Sequence, residues 1–183
     1  PGGADGHCRR VAVTDAAFRV GVRLAVDVGT VRVGVARSDP HGILASPVET
    51  VPRGAGDLQR LLTLIDENNA IEVFVGLPVA MSGRETASTA DARAVAQDLA
   101  NNLAAIGEIR VRMIDERMTT VSAQGQLHAS GRGTREGRSV IDQVAAVIML
   151  EHALETERRT SRPAGALVEP ELATDTQDEG TDQ

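Results

Sequence analysis

Two short apolar runs joined by a glycine-containing break constrain the fold of this chain more than any other feature. Residues 22–27 read Val-Arg-Leu-Ala-Val-Asp, and residues 32–38 read Arg-Val-Gly-Val-Ala-Arg-Ser after the break at 28–31. β-Branched runs that alternate at period two on either side of a short turn are typical of a β-hairpin. The folded part of the chain is therefore predicted to open with two antiparallel strands.

Strand and helix patterns follow the hairpin. Pro47 and Pro52 suit an edge strand or a bend better than a central strand, because proline donates no hydrogen bond to a neighbouring strand. Further along, apolar residues recur either in short continuous runs or at helical spacing. The predicted strands are 43–51, 71–77 and 109–114, and the predicted helices are 57–67, 86–103, 119–129 and 140–154. This order predicts an α/β fold with a mixed five-stranded sheet and helices on both faces.

The chain length of 183 residues suits one domain of ordinary size. The pattern predicts a disordered leader at 1–20, a folded domain at 21–156 and a disordered acidic tail at 157–183. Seven acids and three arginines make up the charges of that tail. Such a composition buries too little apolar surface to offset the entropy of folding.

Composition and charge indicate the cellular location of the protein and the ligands it is not expected to bind. No run approaches the ~20 apolar residues of a membrane span, and the N-terminus has no secretory apolar stretch, so a cytoplasmic protein without a membrane partner is expected. The net charge of −7 argues against a surface coated in positive potential. Four scattered histidines and a single cysteine do not predict a zinc site.

Asp27 is the first candidate for chemistry, because it ends an apolar strand. An ionised carboxylate among buried apolar neighbours is costly unless it is paired or binds a metal. The structural alternative is a hairpin corner, since Asp before a glycine-containing segment commonly begins a turn. The residues alone leave both interpretations open.

Two more acidic positions lie where strands end or helices begin. Asp115 and Glu116 follow the strand at 109–114, and Asp142 stands near the start of the last predicted helix. Helix capping explains either position, because acids near a helix N-terminus are stabilised by about 0.3 to 1 kcal/mol. Convergence of three such acids at one sheet edge would instead form a carboxylate site for Mg²⁺. That chemistry suits two-metal hydrolysis of phosphodiester bonds.

Four segments, in order, resemble the YqgF/RuvX family of RNase H-like proteins. Residues 27–36 read Asp-Val-Gly-Thr-Val-Arg-Val-Gly-Val-Ala and match the family's opening D-x-G-x-x-R-[IV]-G-[VI]-A. The other segments are Gly76-Leu77-Pro78 with Gly83, Asp115-Glu116-Arg117-Met118-Thr119-Thr120 with Ala123, and Asp142-Gln143-Val144-Ala145-Ala146 continuing to Leu150. Ala80 stands where members often have Asn, and Val140 where some have Lys. The matches fall within residues 22–154, nearly the whole predicted domain.

This resemblance implies an RNase H-like fold related to Holliday junction resolvases. It implies a metal-dependent endonuclease with Asp27, Glu116 and Asp142 as catalytic metal ligands and Asp115 beside them. Two Mg²⁺ or Mn²⁺ ions are the expected cofactors. The expected partner is nucleic acid, either the precursor of 16S rRNA, processed at its 5′ end, or a four-way DNA junction.

Several arginines are candidates for contacts with the phosphate backbone. Arg132, Arg135 and Arg138 lie in a predicted loop before the last helix, and a solvated loop without ligand is the alternative. Arg32 on the hairpin would extend that basic track, and Arg117 would contact phosphate or form a local salt bridge. With two Phe and no Trp or Tyr, base stacking on aromatic side chains is not expected.

Two functional classes other than a nuclease also fit parts of the sequence. A sugar kinase or actin-like ATPase also uses a D-x-G-T hairpin, but closing on ATP needs a second domain, which this length does not provide unless a dimer supplies it. A non-catalytic module that binds RNA or a protein partner would keep the fold and the acids. A resolvase must cut two strands, which one acidic cluster per chain achieves only as a homodimer.

Overall fold

The computed structural model describes residues 18–79, 84–107, 109–115 and 135–171, and for 135–142 only the backbone. Six strands and three helices lie in these ranges. The strands are β1 (Val22–Val28), β2 (Arg32–Ser38), β3 (Ala45–Pro52), β4 (Ala70–Leu77), β5 (Arg110–Asp115) and β6 (Ala166–Val168), and the helices are α1 (Asp57–Glu67), α2 (Ala87–Ile106) and α3 (Arg135–Thr160). The helix predicted at 119–129 lies outside the described residues.

One mixed sheet runs through the molecule in the order β3-β2-β1-β4-β5-β6. β1 and β2 form the predicted antiparallel hairpin, while β1, β4 and β5 are parallel. The α/β prediction is confirmed, and β3 occupies the edge position that Pro47 and Pro52 indicate. Because β1, β4 and β5 are parallel, their carboxyl ends meet at one edge of the sheet.

Ordered structure continues beyond residue 156, where the sequence predicts a disordered tail. α3 reaches Thr160, and β6 adds a sixth strand to the five predicted. β6 pairs antiparallel with Val111 to Met113 of β5 after a turn at Gly165, which has φ of 74°. A side chain at Gly165 would place Cβ 2.3 Å from the Met113 carbonyl oxygen. A three-residue strand is too short to show a periodic pattern within an acidic segment.

α3 also begins earlier than predicted. The helix starts at Arg135 instead of residue 140, so Arg135 and Arg138 are helical and not part of a loop. Arginine and glutamate are good helix formers, and they extend the helix through a segment whose charge and glycines suggested a loop. Arg132 and Arg117 lie outside the described residues.

Helices pack on both faces of the sheet, as predicted. α1 and α2 cover one face, where the buried side chains are almost all aliphatic, among them Val26, Val35, Val75 and Leu99. α3 covers the other face with small residues against small strand residues, including Ala146 and Ala153 against Ala25 and Ala36. Small residues on both sides let α3 approach the sheet closely. In the described ranges, no helix is long and apolar enough to cross a membrane.

A buried ion network fixes the end of α3 at the amino end of β1. Glu157 Oε1 accepts from Arg23 Nη2 at 2.9 Å and from Arg19 Nε at 2.8 Å. Arg19 also reaches Glu72 on β4, and Arg112 Nε on β5 donates to the same carboxylate at 2.7 Å. Burial opposes the charge of Arg19, but hydrogen bonds to Glu157 and Glu72 more than offset it and raise the pKa of Arg19. α3 is thereby fixed to three strands.

Arg23 is the most enclosed member of this network. Its side chain is fully buried, its Nη1 donates to the Gly21 carbonyl at 2.7 Å, and its guanidinium lies 4.4 Å from the ring centroid of Phe18. Burial lowers the pKa of Arg23, against the attraction of Glu157. Phe18 and Arg19 thus contribute to the folded domain, although the sequence places them in the leader.

Candidate active site

Asp27 lies within the hairpin ladder and not at its corner. It pairs with Gly34 on β2, and the turn begins two residues later, where the Gly29 amide donates to the Arg32 carbonyl at 2.9 Å. A side chain at Gly29 would place Cβ 2.7 Å from that oxygen, which explains the glycine. Asp27 is partly exposed although Leu24, Ala25 and Val26 before it are buried. The turn-corner explanation for Asp27 therefore does not hold.

The strand positions on either side of Asp27 carry no side chain. Asp27 shares the α3 face of the sheet with Ala25, because alternate residues of a strand face the same side. Gly34 lies opposite on β2, and Gly76 follows the Val26–Val75 pair on β4. Glycine within a strand often marks a place where a ligand or backbone comes close. We call this area, formed by Asp27, Gly34 and Gly76, the glycine floor.

α3 passes over the same end of the sheet. Gln143 Nε2 donates to Thr50 Oγ1 at 3.0 Å, and Thr50 pairs with Gly34 in the β2–β3 ladder. Asp27, Gly34 and Thr50 therefore form one cross-strand row, and the helix residue next to Asp142 contacts its outer end. This contact fixes α3 beside the glycine floor.

Asp142 stands seven residues after the start of α3. The favourable interaction of an acid with a helix dipole is confined to the first turn, so helix capping does not account for Asp142. Its position is one helical turn before Ala146, which is fully buried against the sheet. The helix and the glycine floor thus bring positions 142 and 27 to the same end of the same face. The side chain of Asp142 lies outside the described residues.

Asp115 reaches the same sheet edge from β5 but on the opposite face. It pairs with Leu77 at the carboxyl end of β4. Val111 and Met113 pack against α1 and α2, whereas Ile114 packs on the α3 side. Alternation therefore assigns Asp115 to the face away from Asp27. Glu116 lies outside the described residues.

Arg32, a predicted phosphate-binding residue, lies on the same hairpin as Asp27. It begins β2, two residues before Gly34, and it is partly exposed. Alternation puts Arg32 on the α3 face with Asp27. Arg138 stands four residues before Asp142 on α3, so position 138 is about one turn closer to the N-terminus of the helix.

Sequence reasoning missed Thr50 and Gln143 as parts of this site. They are 93 residues apart, so their hydrogen bond leaves no local pattern. The two glycines could have been found from the sequence, since Gly34 and Gly76 each interrupt an apolar strand. Among the side chains that the structure describes, no three His, Cys, Asp or Glu residues lie together as a metal site.

Known proteins are similar to this chain in sequence and in fold. The RuvX family model, described as Holliday junction resolvase, matches residues 21–156. A Clavibacter sepedonicus protein named "Putative pre-16S rRNA nuclease" is 61% identical over 154 residues, which cover 82% of this chain and 93% of that protein. A Thermobifida fusca relative with the same name is 53% identical over 159 residues, which cover 83% and 98%.

A solved structure of RuvC from T. thermophilus in complex with Holliday junction substrate has the same fold. It aligns with a TM-score of 0.51 at 16% identity, covering 79% of this chain and 99% of that one. The fold and the arrangement around Asp27 define an RNase H-like α/β domain. The chain belongs to the RuvX family.

Proposed function

We propose that this protein is a divalent-metal-dependent endonuclease that hydrolyses phosphodiester bonds in structured nucleic acid. The observation that carries the proposal is the placement of Asp27 beside two strand glycines, under the helix that bears Asp142. This arrangement puts a carboxylate at the carboxyl end of parallel strands, where α/β sheets bind ligands. The family membership and the names of the relatives support the same activity.

Asp27, Glu116 and Asp142 are the proposed metal ligands. Carboxylate oxygens are the donors that Mg²⁺ and Mn²⁺ prefer, and two residues of the set come from a strand and a helix fixed against each other. Glu116 is proposed from the family resemblance, and it is favoured over Asp115 because Asp115 belongs to the sheet face opposite Asp27. Two bound ions would activate a water and stabilise the leaving oxygen.

The arginines on this side of the sheet hold the substrate backbone in the proposed mechanism. Arg32 lies beside the glycine floor, and Arg135 and Arg138 precede Asp142 on α3. Guanidinium groups pair with phosphate oxygens through two parallel hydrogen bonds, which positions a strand without reading its bases. Arg117 and Arg132 are proposed to act in the same way. The scissile phosphate would then rest on the glycine floor.

The substrate is either the precursor of 16S rRNA or a four-way DNA junction. The relatives are named for the first activity and the family description for the second. A junction has two strands to cut, so that activity requires a homodimer, whereas cutting an RNA end requires one site. Cleavage of both substrates by one preparation, together with its mass in solution, separates the two.

Asp27→Asn tests the proposal directly. The substitution keeps size and removes the charge, so Mg²⁺- or Mn²⁺-dependent cleavage should fall by at least about a hundredfold, which corresponds to roughly 2.7 kcal/mol of barrier. Asp98→Asn on the exposed surface of α2 is the matched control and should cleave like wild type. Cleavage by Asp27→Asn at the rate of the control would remove Asp27 from the mechanism.

A further inference from the structure

A cleft of about 570 Å³ opens at the β5 edge of the sheet, between the α2 and α3 layers. Leu77, Met113, Ile114 and Asp115 line it from the strands, and further walls come from both helices and from the segment that leads into β6. Leu77 and Asp115 are paired at the carboxyl ends of β4 and β5. The cleft therefore reaches the same edge of the sheet as Asp27.

The shortness of β6 creates this cleft. β6 pairs with β5 from Val111 to Met113, so Ile114 and Asp115 extend past the end of β6. The turn at Gly165 lies against the Met113 carbonyl and directs the chain away from that point. Residues from both faces of the sheet therefore line the cleft, such as Met113 from one face and Ile114 from the other.

The walls of the cleft are mainly aliphatic, with polar groups at separate points. Gln97 Nε2 donates to Asn101 Oδ1 and to the Glu169 carbonyl, each at 3.0 Å, so it fixes one wall. His152 Nδ1 is buried and has no hydrogen-bond partner within the described part of the chain. Because that atom is buried, a ligand in the cleft meets the rest of the imidazole ring and not Nδ1.

The charges around the cleft argue against a phosphate or another anion as its occupant. Asp115 and the end of β6 at Glu169 bring negative charge, and Arg93 is already paired with Glu85 at 3.0 Å. A neutral, flat heterocycle with hydrogen-bonding edges fits aliphatic walls, a carboxylate and an imidazole. The volume lies within the range of about 300 to 1,000 Å³ typical of small-ligand clefts.

We propose that this cleft binds one unpaired nucleobase of the substrate strand, next to the phosphate held at the glycine floor. The inference rests on the proposed nuclease function and adds a substrate preference to it. β5 is two strand spacings, about 10 Å, from β1, and the cleft opens at the end of β5 on the same edge of the sheet as Asp27. A strand crossing the carboxyl ends of β1, β4 and β5 would place a neighbouring base there.

This subsite would favour a substrate that is single-stranded beside the cleavage position. Placing a paired base in the cleft requires it to leave its stack, at a cost of a few kcal/mol. An RNA that is unpaired beside the cleavage position does not have this cost, whereas a fully paired arm of a DNA junction does. The cleft thus predicts weaker binding of uninterrupted duplexes.

Two threonines on α3 supply a matched test. Thr156 lines the cleft and donates to the His152 carbonyl, while Thr160 makes the equivalent bond to the Thr156 carbonyl on the exposed surface. Thr156→Met would extend a longer side chain into the cleft, and Thr160→Met would not. Both are made in the Asp27→Asn background, so that substrate is bound without being cut. Thermal unfolding by circular dichroism checks that each variant folds.

The probe is a short single-stranded RNA carrying 2-aminopurine at successive positions. The chain has no Trp or Tyr, so its own fluorescence does not mask the signal. We expect one position to change intensity on binding, and Thr156→Met to weaken binding about tenfold and abolish that change. Thr160→Met should leave both unaltered.

Equal fluorescence and affinity for Thr156→Met and Thr160→Met would overturn the subsite. So would the absence of any position whose signal changes on binding. If Thr156→Met does not fold, Thr156→Leu is measured in its place against the same control. Failure of the nuclease proposal is recognised separately, as an unmodified chain that does not cleave RNA or junctions with Mg²⁺ or Mn²⁺.

Discussion

The side-chain amide of Gln143 donates to the hydroxyl of Thr50 at 3.0 Å, joining α3 to the edge strand β3 beside the glycine floor. At the other end of α3, Glu157 is held by Arg23 and Arg19. The helix that carries Asp142 is therefore fixed to the sheet at two separated points. Both attachments determine where position 142 lies relative to Asp27.

Thr50→Val should disturb the site more than the stability. Removing the hydroxyl while keeping the shape deletes the bond from Gln143, with an expected loss of about 0.5 to 1.5 kcal/mol in unfolding free energy. If the bond positions α3, the Mg²⁺ concentration for half-maximal cleavage should rise. Thr63→Val on the exposed surface of α1, whose hydroxyl donates to the Gln59 carbonyl at 2.9 Å, is the control. An unchanged metal dependence would show that the bond is structural alone.

Glu157→Gln should be strongly destabilising. The substitution removes the carboxylate charge that two arginines share, and Arg23 is fully buried. Breaking a buried ion pair by removing one partner costs about 3 to 5 kcal/mol. Glu155→Gln, two residues away in an exposed pair with Arg158, should cost less than about 1 kcal/mol. Urea unfolding of both variants measures the difference, and equal midpoints would contradict the role assigned to the network.

Asp39 should contribute stability at neutral pH that disappears in acid. Backbone amides of Leu44, His41 and Ile43 donate to its carboxylate and lower the pKa of Asp39 below the ordinary 3.8. A lowered pKa in the folded state gives stability that is fully present above 3.8 and is lost as the pH falls through the folded value. The difference in unfolding free energy between wild type and Asp39→Asn should therefore shrink in that acidic range. A difference that is constant with pH would contradict this.

Mg²⁺ should stabilise the folded protein through Asp27. A ligand that binds only the folded state adds about 2.7 kcal/mol when its free concentration is a hundred times Kd. The melting temperature of wild type and of Asp98→Asn should rise with Mg²⁺, and that of Asp27→Asn should not. An equal rise in all three proteins would place the ion elsewhere.

Local patterns predict much of this fold. The hairpin, the edge position of β3 and the alternation of later elements follow from short-range periodicity and proline chemistry. β6 was missed because three residues carry no period, and the early start of α3 because charge and glycine outweighed helix propensity. The burial of Arg23 was not predictable, because an arginine between apolar residues of a strand normally occupies the solvent-facing positions of an alternating pattern. Its partner Glu157 is 134 residues away, in a segment that reads as tail.

The candidate site was predicted in part. The position of Asp27 at a strand end and the separate acidic positions were visible in the sequence. The assignment of Asp115 to the opposite face required knowing which helices its neighbours on β5 pack against. The exclusion of helix capping for Asp142 required the true start of α3. The roles of all the candidate site residues stay predictions. The role of Glu116 comes from the family resemblance, and those of Arg117 and Arg132 come from the charge of the segments in which they lie.

The glycine floor has a consequence for the evolution of this domain. Glycine loses more conformational entropy on folding than any other residue, and within a strand it is less stable than alanine by roughly 0.5 to 1 kcal/mol. Selection for thermal stability alone would therefore replace Gly34 and Gly76 with larger residues. Larger residues there would place side chains next to Asp27 on the same face of the sheet. In the proposed mechanism, these two positions therefore limit how stable the fold becomes while it keeps its chemistry.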